Sequence, residues 1–184
     1  MIELLIAVGV LAVLGLYLVA AYNRLVALRN RVKEAWSQID VQLRRRYDLI
    51  PNLVNTVKGY MKHEKEVFEK IATARAGAMQ AQSPAEKGAA EGILTGALRQ
   101  LFALVENYPD LKADRNAMAL QEELVSTENR IGFARQHYND QVLTYNTRLE
   151  SFPTNLVAGA FRFESSQFFE IKEEAARAPV KVEF

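Results

Sequence analysis

The chain has 184 residues, 23 Lys and Arg against 22 Asp and Glu, a formal net charge of +1, and 49% hydrophobic residues. The near balance of charge removes the electrostatic case for nucleic acid as a partner, and the absence of cysteine excludes disulfides, thiol chemistry and thiolate metal sites. Apart from one apolar stretch, the length suits a single domain with a real core.

That stretch is residues 4–21, LLIAVGVLAVLGLYLVAA, which hold no charge and no amide. As a helix they cover about 27 Å of a hydrocarbon layer roughly 30 Å thick, and each Leu, Ile or Val favours insertion by about 0.3 to 0.6 kcal/mol. The stretch predicts a single membrane span, since no second such run follows. A cleaved signal peptide is the alternative, with Val19 and Ala21 as small residues at the cleavage site. Such peptides begin with basic residues, whereas this chain begins Met1, Ile2, Glu3. Arg24, Arg29, Arg31 and Lys33 follow the span, so the positive-inside rule places the N-terminus outside and the remainder in the cytoplasm.

Across residues 25–76 apolar side chains recur every three or four positions, among them Leu25, Leu28, Val32, Trp36, Ile39, Leu43, Ile50, Val57, Met61 and Phe68. The spacing predicts one very long helix, about 78 Å if continuous, running straight out of the membrane. Pro51 removes the hydrogen bond to the Tyr47 carbonyl and predicts a kink rather than a break, because the apolar register carries on beyond it. Residues 77–82 read as a link of small residues. Ser83, Pro84 and Glu86 then form a capping box that opens a second helix. Gly88, Gly92 and Gly96 lie four apart on one stripe of it, each costing roughly 1 kcal/mol of helix propensity. Close approach to a neighbouring helix of the bundle, or a self-association face, would offset that cost.

Asn107, Tyr108 and Pro109 end the second helix, and residues 110–114 read as a turn. Residues 117–152 carry alternating three and four spacing with a coiled-coil-like seam, a third and long helix. Pro153 ends it, and Thr154 or Asn155 caps a shorter fourth helix running to about residue 176. The fold expected is all-α: an N-terminal transmembrane helix followed by an elongated antiparallel three- to four-helix bundle with long first and third helices. Its divisions are an anchor at residues 1–22, a bundle at 23–177 and an extended tail at 178–184.

Chemistry is not legible. His63 and His137 lack a glutamate three positions before them, Tyr60 and Ala134 standing there, and Val67 occupies the place of the second histidine of a zinc-protease motif begun by His63 and Glu64. No phosphate loop or nucleophile elbow occurs. The expectation is a non-enzyme with no cofactor, no metal site and no catalytic residue.

Interaction candidates remain. Arg44, Arg45 and Arg46 cannot share one helix face, so at least one points toward the bundle or the partner helix, the others forming local ion pairs on a solvated face or meeting an acidic partner or anionic headgroups. Tyr138-Asn139 and Tyr145-Asn146 repeat seven apart. Phe168 and Phe169 are adjacent and cannot both face one core, which leaves one for a partner surface. In the tail, Val180, Val182 and Phe184 alternate with Lys181 and Glu183, as suits either a frayed end or a docking peptide that adds a strand to a partner's sheet edge.

YNRLV at residues 22–26, VKEAWSQIDVQLRRRYDLIPNLVNTVKGY at 32–60, ENYPDLKA at 106–113, ENRIGFARQHYNDQVLTYN at 128–146, FPTNLVA at 152–158 and the FRFESSQFFE run together resemble the LemA family of bacterial membrane-anchored helical proteins. The resemblance covers nearly the whole chain in order. It implies one N-terminal anchor, an all-helical domain, a bacterial inner-membrane location and no established catalytic site or cofactor; one related branch is tied to magnetosome membrane formation. The expected function is a membrane-anchored scaffold that self-associates as a homo-oligomer or recruits a protein partner at the bilayer. The alternative is an adaptor for a membrane protease or chaperone, with the tail as docking peptide.

Overall fold

The computed structural model describes residues 1–171. The expectations for residues 172–184, including those for Val180, Val182 and Phe184, lie outside the described residues. Among the described residues there are six helices and no strand: α1 (Ile2–Lys58), α2 (Lys65–Gln80), α3 (Pro84–Val105), α4 (Pro109–Ala113), α5 (Arg115–Glu150) and α6 (Thr154–Ala160).

Helix α1 runs unbroken through Pro51. Proline lacks the N–H that would bond the Tyr47 carbonyl, and Arg75 of α2 supplies the missing donor, its Nε lying 2.8 Å from that oxygen. The predicted continuity to residue 76 is corrected: α1 ends at Lys58 and residues 59–64 form a turn. Gly59 and Tyr60 leave the helix while Met61 folds back with 0% exposure. Met61 falls in the apolar register by position, which is why spacing alone reads through the turn.

The capping box at the start of α3 is present. Ser83 Oγ accepts from the Glu86 N–H at 3.2 Å, and Glu86 accepts from the Ser83 and Gln82 N–H groups, which hold its carboxyl below the ordinary range. The link before it is shorter than expected, because α2 continues through Gln80. The turn expected at 110–114 contains the short helix α4, and Asp114 caps α5 through the Asn116 and Ala117 N–H groups.

The fourth helix is corrected most. It stops at Ala160 rather than near residue 176. The Phe163 N–H reaches back to the Ala158 carbonyl at 2.9 Å and the Arg162 N–H to Gly159 at 3.2 Å, the paired bonds of a Schellman ending. Arg162 adopts the left-handed conformation, φ 53°, that glycine usually supplies there. Phe163 packs on the cluster of Ala21, Leu25, Val157 and Ala158, which provides the apolar contact such endings favour. Beyond it the chain is neither helix nor strand through Ile171. The Tyr145 hydroxyl donates to the Glu164 carbonyl, and the Asn146 amide both donates to and accepts from the Ser166 backbone at 2.9 Å.

The chain divides into two compact units, residues 1–39 with 134–166, and residues 40–133 with the chain from 167 onward. In the first, Leu25, Leu28, Val32 and Ile39 of α1 are buried, as are Tyr138, Val142 and Tyr145 of α5. Trp36 and Tyr138 meet ring to ring at 5.3 Å, and burial pushes the Tyr138 hydroxyl up to about 12. In the second, Leu43, Ile50 and Val57 are buried on α1, Phe68 and Ile71 on α2, and Leu94, Leu98 and Leu101 on α3. The apolar stretch of α1 differs: its mean hydropathy is 2.7 and it is 6% buried.

Candidate functional site

The three arginines are placed separately. Arg44 is exposed and pairs with Asp40 one turn back at 2.8 Å, and Arg45 pairs with Glu123 of α5. Arg46 is 2% exposed, within the core. Its guanidinium donates to Glu91 Oε2 and Thr95 Oγ1 of α3, both at 2.8 Å, and lies 3.0 Å from Glu128 Oε2 of α5. The neighbouring Tyr47 hydroxyl donates to the other Glu91 oxygen.

One buried carboxylate thus receives two adjacent side chains of α1. Burial pushes the Glu91 carboxyl above its ordinary value, outweighing the pull of Arg46 and Tyr47 in the other direction. Burial and the Glu91 charge together push the Tyr47 hydroxyl far up. The arrangement holds three helices in register. Sequence reading missed Glu91, Tyr47 and Thr95, although a signal was present: Glu91 lies on the same α3 stripe as Gly88, Leu94, Leu98 and Leu101, where a lone charge needs an internal partner.

The glycine stripe is not uniform. Gly88 is buried, and a Cβ built there would strike the Glu170 backbone, lying 2.9 Å from its carbonyl carbon and 3.1 Å from its nitrogen, besides meeting its oxygen. What approaches Gly88 is therefore the irregular chain after α6. Gly96 has open space where a Cβ would stand, and Gly92 is half-buried. The adjacent phenylalanines divide as the sequence requires, Phe169 at 0% exposure and Phe168 at 37%.

A groove of about 770 Å³ lies between α2 and α3, with Ala74 and Gly77 on one side and Ala90, Ile93 and Ala97 on the other. Ile93 is 68% exposed there. Glu66, Glu69 and Lys70 add charge of both signs. His63 and His137 are exposed, and among the described residues no three His, Cys, Asp or Glu are grouped to hold a metal ion. The candidate interaction surface is thus the α2–α3 groove.

The LemA family model matches residues 35–184. Magnetosome protein MamQ 2 of Paramagnetospirillum magneticum is 24% identical over 196 residues, covering 91% of this chain and 72% of that protein. Magnetosome protein MamQ of Magnetospirillum gryphiswaldense is 23% identical over 199 residues, covering 93% and 73%. Protein LemA of Metamycoplasma hominis is 27% identical over 155 residues, covering 82% and 69%. With the family model matching residues 35–184 of its 184, the chain belongs to the LemA family.

Proposed function

We propose that this protein is a non-enzymatic scaffold anchored in a membrane by residues 4–21, its N-terminus outside and its folded part cytoplasmic, and that it self-associates or recruits a protein partner through the α2–α3 groove. The observation that carries the reading is the bare apolar stretch of α1, 6% buried at mean hydropathy 2.7, in unbroken helical continuity with residues of the folded core. Apolar surface of that extent suits a hydrocarbon layer, whose thickness the stretch nearly matches. Membership of a family that includes magnetosome proteins supports a membrane-associated role.

The groove supports the scaffold. Its small residues let another helix approach closely, and Ile93 stands exposed as an apolar anchor for that helix. Particle size in mild detergent across micromolar concentrations, with crosslinking in intact cells, tests the reading. The wild-type protein should run larger than one chain in its micelle or carry a crosslinked partner, and Ile93→Glu should lose either association while keeping its melting temperature. A wild-type protein that stays strictly monomeric and crosslinks to nothing sinks the proposal.

A further inference from the structure

The turn between α5 and α6 meets α1 at the end of the apolar stretch. The Tyr17 and Thr154 hydroxyls lie 3.3 Å apart, Val157 and Ala158 pack with Ala21 and Leu25, and the Phe161 ring stands 4.9 Å from that of Tyr22. Helix α6 therefore runs alongside α1 in the same direction, and the Phe152–Pro153 corner is its membrane-side end. Tyr17 lies four residues before Ala21, the last residue of the apolar run, so the corner reaches roughly 6 Å inward of that boundary.

The corner is also unusually apolar. Residues 151–161, SFPTNLVAGAF, contain no charge in a chain that is 24% charged. Thr154, Val157 and Ala158 face α1 and are buried, while Phe152 is 79% exposed, Leu156 64% and Phe161 58%. Gly159 and Ala160 are exposed between them. A surface turned to water would carry polar groups opposite α1, yet of the exposed residues of α6 only Asn155 is polar. Arg24 and Arg162, both exposed, follow just beyond, where phosphates lie above an acyl boundary.

We propose that the α5–α6 corner is a second membrane contact, which seats Phe152, Leu156 and Phe161 in the headgroup–acyl boundary beside the span. Interfacial elements sink about 5–10 Å into that boundary, a range that includes the depth given by Tyr17 and Thr154. The occupant of the surface is the bilayer, because the surface lies level with the end of the apolar stretch. The inference rests on the reading of residues 4–21 as a span.

The chain has no cysteine, so single nitroxide labels can be placed without background on the full-length protein in phosphatidylcholine–phosphatidylglycerol vesicles. Phe152→Cys and Leu156→Cys report the corner, Leu11→Cys the span, and Gln38→Cys, roughly 25 Å beyond Ala21 along α1, the aqueous phase. The ratio of oxygen to nickel-chelate collisions should be severalfold higher at 152 and 156 than at 38, and should approach that at 11. Labels at 152 and 156 that match 38 while 11 remains lipid-like overturn the corner contact and leave the anchor standing. A water-like label at 11 overturns both. Retained helix content and melting temperature in each labelled protein confirm that the fold is being read.

Discussion

Replacing Arg46 with methionine leaves the Glu91 carboxylate buried opposite an apolar side chain, and breaking such a pair from one side costs about 3–5 kcal/mol. Arg44→Ala removes only an exposed pair one turn apart and should change stability by no more than about 0.5 kcal/mol. Urea unfolding of the two variants checks the contrast, and comparable losses would mean that Arg46 is not the internal tie. Glu91 also sets a pH dependence. Its folded value lies above the ordinary 4.5, so its contribution to stability is full below that pH and is lost as pH rises through the raised value. On going upward from pH 4.5 the wild-type urea midpoint should therefore fall relative to that of Glu91→Gln. A wild-type midpoint that instead rises relative to the Gln variant over that range would reverse the sign argued here.

At the scale of elements, α1 depends on α2 for its passage through Pro51. Arg75→Leu leaves the Tyr47 carbonyl without a partner and should cost about 1–2 kcal/mol. In a Pro51→Ala background the backbone N–H returns, and the same substitution should cost roughly 1 kcal/mol less, which a double-mutant cycle measures. Equal costs in both backgrounds would show that the guanidinium does not replace the missing donor. The glycines give a second contrast. Gly88→Ala pushes a methyl into the Glu170 backbone and should destabilise by about 1–3 kcal/mol, whereas Gly96→Ala gains helix propensity in open space and should stabilise by roughly 0.5–1 kcal/mol. Thermal melts of both decide it.

These contrasts show which elements were legible. The α3 capping box could be read because its partners lie within four residues. The rescue of Pro51 could not, since Arg75 arrives from another helix. The end of α6 was hidden because an arginine holds the left-handed position where a glycine would have signalled it. Of the candidate site, the division of the arginines and of Phe168 from Phe169 followed from helix geometry or adjacency. Which glycine is crowded did not, because the crowding comes from a segment that the sequence reading assigned to the fourth helix.

For the whole molecule, topology governs every partner reading. The basic residues after the apolar stretch predict that a protease added outside intact spheroplasts spares the chain from Asn23 onward. Digestion without lysis would place the folded part on the other side and with it a different set of partners.

Because α1 leaves the apolar stretch without a break, residues 4–21 seated in a membrane as proposed would act as a lever rather than a tether. Residues 22–39 extend about 27 Å beyond Ala21, as far again as the apolar run itself. In a bilayer thinner than that run, leaning is one way for the helix to stay buried, and a lean of about 20° would carry Ile39 sideways by roughly 9 Å. Under the proposed anchoring, membrane thickness would then shift the position of the buried α1 residues that follow the apolar stretch.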